Sequence, residues 1–167
     1  KTEGLLMGRS IRENVSLAYL KDVTRLGTVS RGRERAAVDT LMRKLDIRAV
    51  DAEAPVSGLS GGNQQKALFA KWLFRQPRLL IADEPTRGVD IGAKHAIYTL
   101  IRDLAAGGMA VLLISSELEE VIGLSDRILA MRSGRIVAEF EGEHVSQEEI
   151  LAAAFGTVAA TRSRMQA

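Results

Sequence analysis

The sequence predicts an α/β protein: a mostly helical first half, then strands alternating with helices around a mainly parallel sheet. Three observations predict it. The segment RERAAVDTLMRKL sets Ala37, Val38, Leu41, Met42 and Leu45 at helical spacing with charged residues between them, the pattern of a helix with one buried stripe. The runs RLLIA (Arg78–Ala82), AVLLIS (Ala110–Ser115) and RILAM (Arg127–Met131) are short and nearly continuously apolar, as strands covered on both faces of a parallel sheet are. Helical stretches lie between these runs.

In chain order, Ser10 and Glu13 have capping-box spacing and predict a helix opening near Ser10. A polar, glycine-containing stretch around RLGTVSRG separates it from the amphipathic helix. DAEAPVSGLSGG reads as a loop, and the next helix runs from about Gly62 to Arg75, stopping before Pro77 because proline disfavours helical geometry in the residue before it. A helix from about Ile91 to Ala106 stops at the glycine pair of AGG. The acidic ELEEVIGL is a shorter connector, and Ser133-Gly134 predicts a hairpin turn within ILAMRSGRIVAEF. Ser146 and Glu149 form a second capping box, for a helix that Gly156 closes, and TVAATRSRMQA has no periodicity. The expected organisation is therefore a helical subdomain over 1–75, a strand-and-helix core over 76–156 and a mobile tail over 157–167.

Composition narrows the function classes. Of 167 residues, 46% are hydrophobic and 26% charged, which suits a globular domain with a sizeable core. The formal net charge is only +2, so bulk charge gives nucleic-acid binding no support. No run reaches the roughly 18 apolar residues of a spanning helix, and KTEGLLMGRS lacks the apolar centre of a signal peptide. Cysteine is absent, which removes disulfides and thiolate metal sites, and His95 and His144 alone do not make a structural zinc site. Both histidines are expected at the surface. The chain starts at Lys1, so it is expected to be a piece of a longer polypeptide.

The chemistry concentrates in two stretches. In LLIADEPTRGVD (Leu79–Asp90) two acids follow directly on an apolar strand, and ligands of parallel sheets bind beyond the carboxyl ends of strands. Adjacent side chains point different ways, so Asp83 can hold Mg²⁺ while Glu84 faces an attacking water, the division that phosphoryl transfer to water needs. A polar strand end opening a turn at Pro85 would account for the same letters. In GLSGGNQQKALFAKWLF (Gly58–Phe74) a serine and two glycines head a helix, where backbone amides and the helix dipole favour a phosphate. A plain N-cap with turn glycines would also account for that.

Their order decides between these readings. With LSGGNQQK one helix upstream of LLIADEPTRGVD, the chain resembles the ATP-binding cassette (ABC) ATPases, and within them the later part of the second cassette in double-cassette subunits of ribose, galactose and xylose importers. The resemblance runs from about Lys1 to Gly156. It implies a partial P-loop (RecA-like) core with a helical signature subdomain. It also implies that Leu59, Ser60, Gly61, Gly62 and Asn63 form the signature loop, with Ser60 and the glycine amides contacting the γ-phosphate of ATP on the opposite cassette. Asn63 stands where most signatures have Gln. Asp83 corresponds to the Mg²⁺-serving aspartate, Glu84 to the glutamate that polarises the attacking water, and Asp90 to the aspartate linking the two nucleotide sites. Lys66 stands where many cassettes have Arg, expected on the exposed side of the signature helix.

Two departures follow. Ser116, in VLLISSELEE, occupies the switch position where catalytic cassettes carry histidine, and a serine supplies neither positive charge nor imidazole. No Gly-x-x-x-x-Gly-Lys-Ser/Thr loop occurs; GVDIGAKH has the wrong glycine spacing and no Ser or Thr after its lysine. The family's phosphate loop lies upstream, so its strand is expected to leave core residues such as Leu112 and Ile114 less covered, with rearrangement or strand exchange between copies making up the loss.

The implied cofactors are ATP and Mg²⁺. The implied partners are an opposite cassette, membrane-spanning permease subunits and, indirectly, a periplasmic or extracellular sugar-binding protein, with the chain peripheral on the cytoplasmic face of the bacterial inner or plasma membrane. A non-catalytic module that completes a partner's nucleotide site is the alternative. Chromosome-maintenance or DNA-repair ATPases share the signature, but heptad-bearing coiled coils and a basic face are absent from the sequence.

Overall fold

The computed structural model describes residues 4–141 and 145–156; the expected tail and His144 lie outside them. Short apolar faces set the helices of the first part. Helix α1 (Ile11–Ser16) opens on the Ser10–Glu13 capping box, and α2 (Leu20–Val23) follows a 3-10 turn. Strands β1 (Thr24–Arg25) and β2 (Thr28–Val29) then form a small antiparallel pair where the sequence suggests only polar loop. Two residues per strand are too few for any alternation to register, and the turn is carried by Leu26 and Gly27, both at positive φ.

Helix α3 (Arg31–Lys44) buries Val38, with Leu45 buried just past its end, while Ala37, Leu41 and Met42 are only half-buried. Helix α4 (Gly61–Leu73) opens one residue before and stops two residues short of its expected span.

The chain divides into two compact units, one containing the residues up to Leu80 with Pro85–Val111, the other Ile81–Glu84 with the residues from Leu112 onward. In the first, α1 packs on α3 and α4, and α4 packs on α5 (Ile91–Ala106). Ile11, Val15, Val38, Val56, Ala67 and Ala70 are fully buried in it. Burying each large aliphatic side chain contributes about 1.5–3 kcal/mol, so this cluster outweighs the weak helix propensities of its short helices.

Strands β3 (Leu79–Asp83) and β4 (Ala110–Ile114) pair in parallel, with Ala110 N–H donating to Arg78 O at 3.0 Å and Glu84 N–H to Ile114 O at 2.8 Å. The expected cover on both faces is not observed: Leu80 and Ala82 are buried, whereas Leu79, Ile81, Leu112 and Ile114 are 46–61% exposed. For Leu112 and Ile114 that matches the expectation of reduced cover.

In the second unit, α6 (Leu118–Leu124) leads to β5 (Arg127–Arg132), β6 (Arg135–Glu141) and α7 (Gln147–Phe155). Here the sequence reading needs correction. β5 pairs antiparallel with β6 and is not a strand of a parallel sheet. The two-residue turn is the reason: Ser133 (φ 49) and Gly134 (φ 76) both take positive φ, as a tight hairpin turn whose twist matches its strands requires, so β6 is the nearest partner. β5 also alternates, with Ile128 and Ala130 buried and Leu129 and Met131 exposed. Helix α7 packs on both strands through its buried Ile150, opens on the Ser146–Glu149 capping box and closes on Gly156 at φ 76.

Candidate functional site

In the first unit the candidate residues gather at two helix starts. A 3-10 turn at Val56–Gly58 delivers the chain to Ser60, whose extended backbone (φ −61, ψ 157) makes it the N-cap of α4. The loop before it is pinned by a side chain the sequence reading passed over: Gln64 Nε2 donates to the carbonyls of Leu59 at 3.0 Å and Val56 at 3.3 Å. The first Q of GGNQQK is plain in the sequence, but only the fold shows that it points back along the loop.

Asn63 ties the loop to the helix start. Its backbone N–H and Nδ2 donate to Ser60 Oγ at 3.4 and 3.0 Å, and its Oδ1 accepts from the Arg48 amide at 2.9 Å. The Gln64 amide continues the ladder to Ser60 O at 2.9 Å. The amides of Gly61 and Gly62 thus precede the helix's own hydrogen-bond ladder, the position from which backbone groups bind anions. Ser60 is exposed, and Leu59, Gly61 and Asn63 are half-buried.

Lys66 corrects the sequence reading. It is not on an exposed side of α4: its side chain is 12% exposed, and Nζ donates to Asp46 O at 2.8 Å and lies 3.4 Å from Asp46 Oδ2. The partner arrives from the turn after α3, where Asp46 takes φ 48. The Lys66 hydrogen bond, its charge and that of Arg48 hold the Asp46 carboxyl below its usual range.

Asp90 caps α5, its Oδ1 accepting from the Ala93 amide at 3.0 Å. Buried Gly62 faces Ala93, and a methyl in place of the Gly62 hydrogen would stand 2.6 Å from Ala93 Cβ. The Ser60–Gly62 stretch and Asp90 are therefore neighbours in one compact unit. His95, on the same helix, is exposed as expected and sits edge-on to Tyr98.

In the second unit Asp83 ends β3 with its side chain exposed, and Glu84 leaves the strand at φ 47, a left-handed turn that costs a non-glycine residue roughly 1–3 kcal/mol. That turn is held at both ends: Glu84 N–H donates to Ile114 O at 2.8 Å, and Glu84 Oε1 accepts from Ser116 N–H at 2.8 Å. So the structure brings Glu84 and Ser116 together, through the backbone of Ser116 and not its hydroxyl. Ser115 Oγ accepts from the Glu117 amide at 3.0 Å and shapes the turn into α6. Among the described residues no cluster of three or more His, Asp or Glu is placed to enclose a metal ion.

The family model described as ABC transporter matches residues 2–87. The ribose import ATP-binding protein of Chromobacterium violaceum is 50% identical over all 167 residues, and a ribose import ATP-binding protein of Rubrobacter xylanophilus is 53% identical over 93% of the chain. The xylose import ATP-binding protein of Geobacillus kaustophilus is 46% identical over 93% of the chain. The chain spans about a third of the length of these curated relatives, 33%, 30% and 31% respectively.

Among solved structures, a dimeric ATP-binding cassette in a post-hydrolysis state with ADP and Pi superposes with TM-score 0.68 at 22% identity, covering 84% of the chain and 60% of that protein. An inward-facing transporter of metal-chelate type superposes with TM-score 0.74 at 19% identity, covering 89% of the chain and 59% of that protein. At those identities the likeness establishes the fold.

Proposed function

Because the chain belongs to the ABC transporter family, we propose that it is part of the ATP-hydrolysing subunit that powers sugar import, namely the later part of its second cassette. The observation that carries this reading is the Ser60 cap: Asn63 holds Ser60 Oγ at the head of α4, beside the Asp90-capped start of α5. Ser60 and the amides of Gly61 and Gly62 bind the γ-phosphate of ATP held by an opposite cassette. Leu59 and Asn63 shape that loop, and Asp90 communicates between the two nucleotide sites.

The donor set also fits Mg²⁺. That ion is held by one or two carboxylates together with substrate phosphates, not by a closed protein cage, and Asp83 offers one exposed carboxylate at a strand end. When bound, Mg²⁺ neutralises charge on the phosphates. Glu84 orients the attacking water, and the Ser116 amide fixes one of its oxygens while leaving the other to accept from that water.

The reading also gives the chain its setting. Its partners are an opposite cassette, permease subunits and, through them, a sugar-binding protein, and it sits peripherally on the cytoplasmic face of the membrane. No described helix is long and apolar enough to cross the bilayer, which agrees with attachment through permease subunits. A second reading, a signature-bearing module that completes a partner's site without turning over ATP at its own, is favoured by Ser116, whose side chain is exposed while only its amide reaches Glu84.

The test is MgATP turnover by the full natural polypeptide, comparing Glu84→Gln and Ser60→Asp with the wild type. The catalytic reading expects both to lose activity; the module reading expects loss with Ser60→Asp alone. Turnover indifferent to Ser60→Asp overturns both.

A further inference from the structure

Ala93 lies three residues past Asp90, in a stretch to which the chemistry above gives no task. Its surroundings are specific. The Ala93 amide donates to Asp90 Oδ1 at 3.0 Å, and its methyl faces Gly62 so closely that an added Cβ on Gly62 would lie 2.6 Å from Ala93 Cβ and 3.7 Å from Ala93 Cα. Carbon atoms in contact sit about 3.5–4.0 Å apart. Any side chain at Gly62 must therefore move the two helix starts apart by about an ångström. The obstacle is a methyl next to its own backbone, with no rotamer to swing away, so the misfit passes directly into helix positions. The same residue that holds the Asp90 carboxylate thus sets how near the signature loop can come.

We propose that Ala93 is a positioning residue, its methyl seated against Gly62 and its amide held by Asp90, which keeps the signature loop and the Asp90 cap at one fixed spacing. The proposal rests on the reading that Ser60 and Asp90 serve a nucleotide site. Beside the phosphate contact proposed for its amide, it gives Gly62 a packing task that Gly61 does not share. Gly61 is glycine so that its backbone can meet a phosphate, whereas Gly62 is buried and is glycine so that α4 can approach α5.

The test is a compensation experiment in the full natural polypeptide, reading MgATP turnover, with the urea midpoint of each variant as a second readout. Gly62→Ala is expected to lower turnover at least tenfold. Adding Ala93→Gly, which removes the opposing methyl, is expected to recover at least half of that loss on a logarithmic scale and to bring the midpoint back toward the wild type. If Gly62 acted only through its contact with ligand, no such rescue would follow, so a double variant no more active than Gly62→Ala overturns the proposal. If Gly62→Ala does not fold, Ala93→Val crowds the contact from the opposite side with the signature intact: lowered turnover supports the proposal, and unchanged turnover overturns it. Ser60→Asp separates the two levels. If it leaves turnover unchanged, the nucleotide reading fails and the spacing role falls with it; if it abolishes turnover and rescue is absent, the spacing role alone fails.

Discussion

Arg12→Ala is expected to destabilise the first unit by about 3–5 kcal/mol, most of it through Glu34. From α1, Arg12 reaches two carboxylates: Nη1 meets Glu34 Oε2 at 2.6 Å, while Nε and Nη2 meet Glu53 Oε1 and Oε2 at 2.7 and 3.2 Å. The two pairs differ in exposure, with Arg12 and Glu34 side chains 15% and 3% exposed and Glu53 48% exposed. Glu34 has left water, and its charge is met by Arg12 and by the Ser16 hydroxyl, Oγ to Oε1 2.5 Å. Removing Arg12 leaves a buried carboxylate with one neutral donor, the situation behind the penalty of about 3–5 kcal/mol, whereas an exposed pair contributes roughly 0–1 kcal/mol. Glu53→Gln should therefore cost less than about 1 kcal/mol.

Urea unfolding followed by Trp72 fluorescence checks this, because Trp72 lies on α4 in the same unit. With slopes of about 1–3 kcal/mol per molar urea, the Arg12→Ala midpoint should fall by 1 M or more, against a few tenths for Glu53→Gln. The pair Arg12→Met with Glu34→Leu, which removes both charges and keeps volume, should regain most of the loss. Equal shifts for Arg12→Ala and Glu53→Gln would refute the claim that burial of Glu34 sets the scale.

Two further outcomes follow from the same contacts. The hydrogen bonds from Arg12 and from Lys66 hold the carboxyls of Glu53 and Asp46 below their ordinary values. Their stabilisation is therefore complete above the unfolded values near 4 and is lost as pH falls through the depressed ones. The urea midpoint should drop below about pH 4, and Lys66→Ala should make that acid limb shallower. Asn63→Ala removes the acceptor of the Arg48 amide and a donor to Ser60, and should cost about 1 kcal/mol with faster hydrogen exchange at Arg48.

Legibility in the sequence followed the range of the interaction that decides each feature. Helix α5 was readable because the glycine stop that ends it is local, and so was the β5–β6 hairpin through Ser133-Gly134. Lys66 was misplaced because its partner Asp46 stands 20 residues earlier, where no periodicity registers it. Burial of Glu34 on a helix read as charged outside the stripe depends on Arg12 from another helix, 22 residues away. Of the candidate residues, Ser60 as a helix N-cap and Asp83 and Glu84 at the end of a strand were legible by type and order. The tie of Glu84 to Ser116 runs through a backbone amide, which leaves no mark on the residue letter. Ala93 was illegible because its importance lies in how close Gly62 approaches it.

Ser60 shows why cap and ligand group are not rival readings of one residue. A hydroxyl has two acceptor lone pairs and one donor proton. The Asn63 backbone amide and Nδ2 address the acceptor side at 3.4 and 3.0 Å, so the cap uses lone pairs and turns the proton away from α4. Binding an oxyanion uses that proton. The two roles can therefore be separated by a residue that caps without donating. Aspartate is such a residue: it caps about as well as serine, so Ser60→Asp should leave the stability read by urea unfolding within about 0.5 kcal/mol of the wild type. It also replaces the proton with a negative charge at the proposed phosphate contact, and on that reading MgATP turnover by the natural polypeptide should fall by two orders of magnitude or more. If Ser60→Asp retained turnover at unchanged stability, Ser60 would be a cap and nothing else. If it lost both together, the cap would be more demanding than the geometry at Asn63 implies.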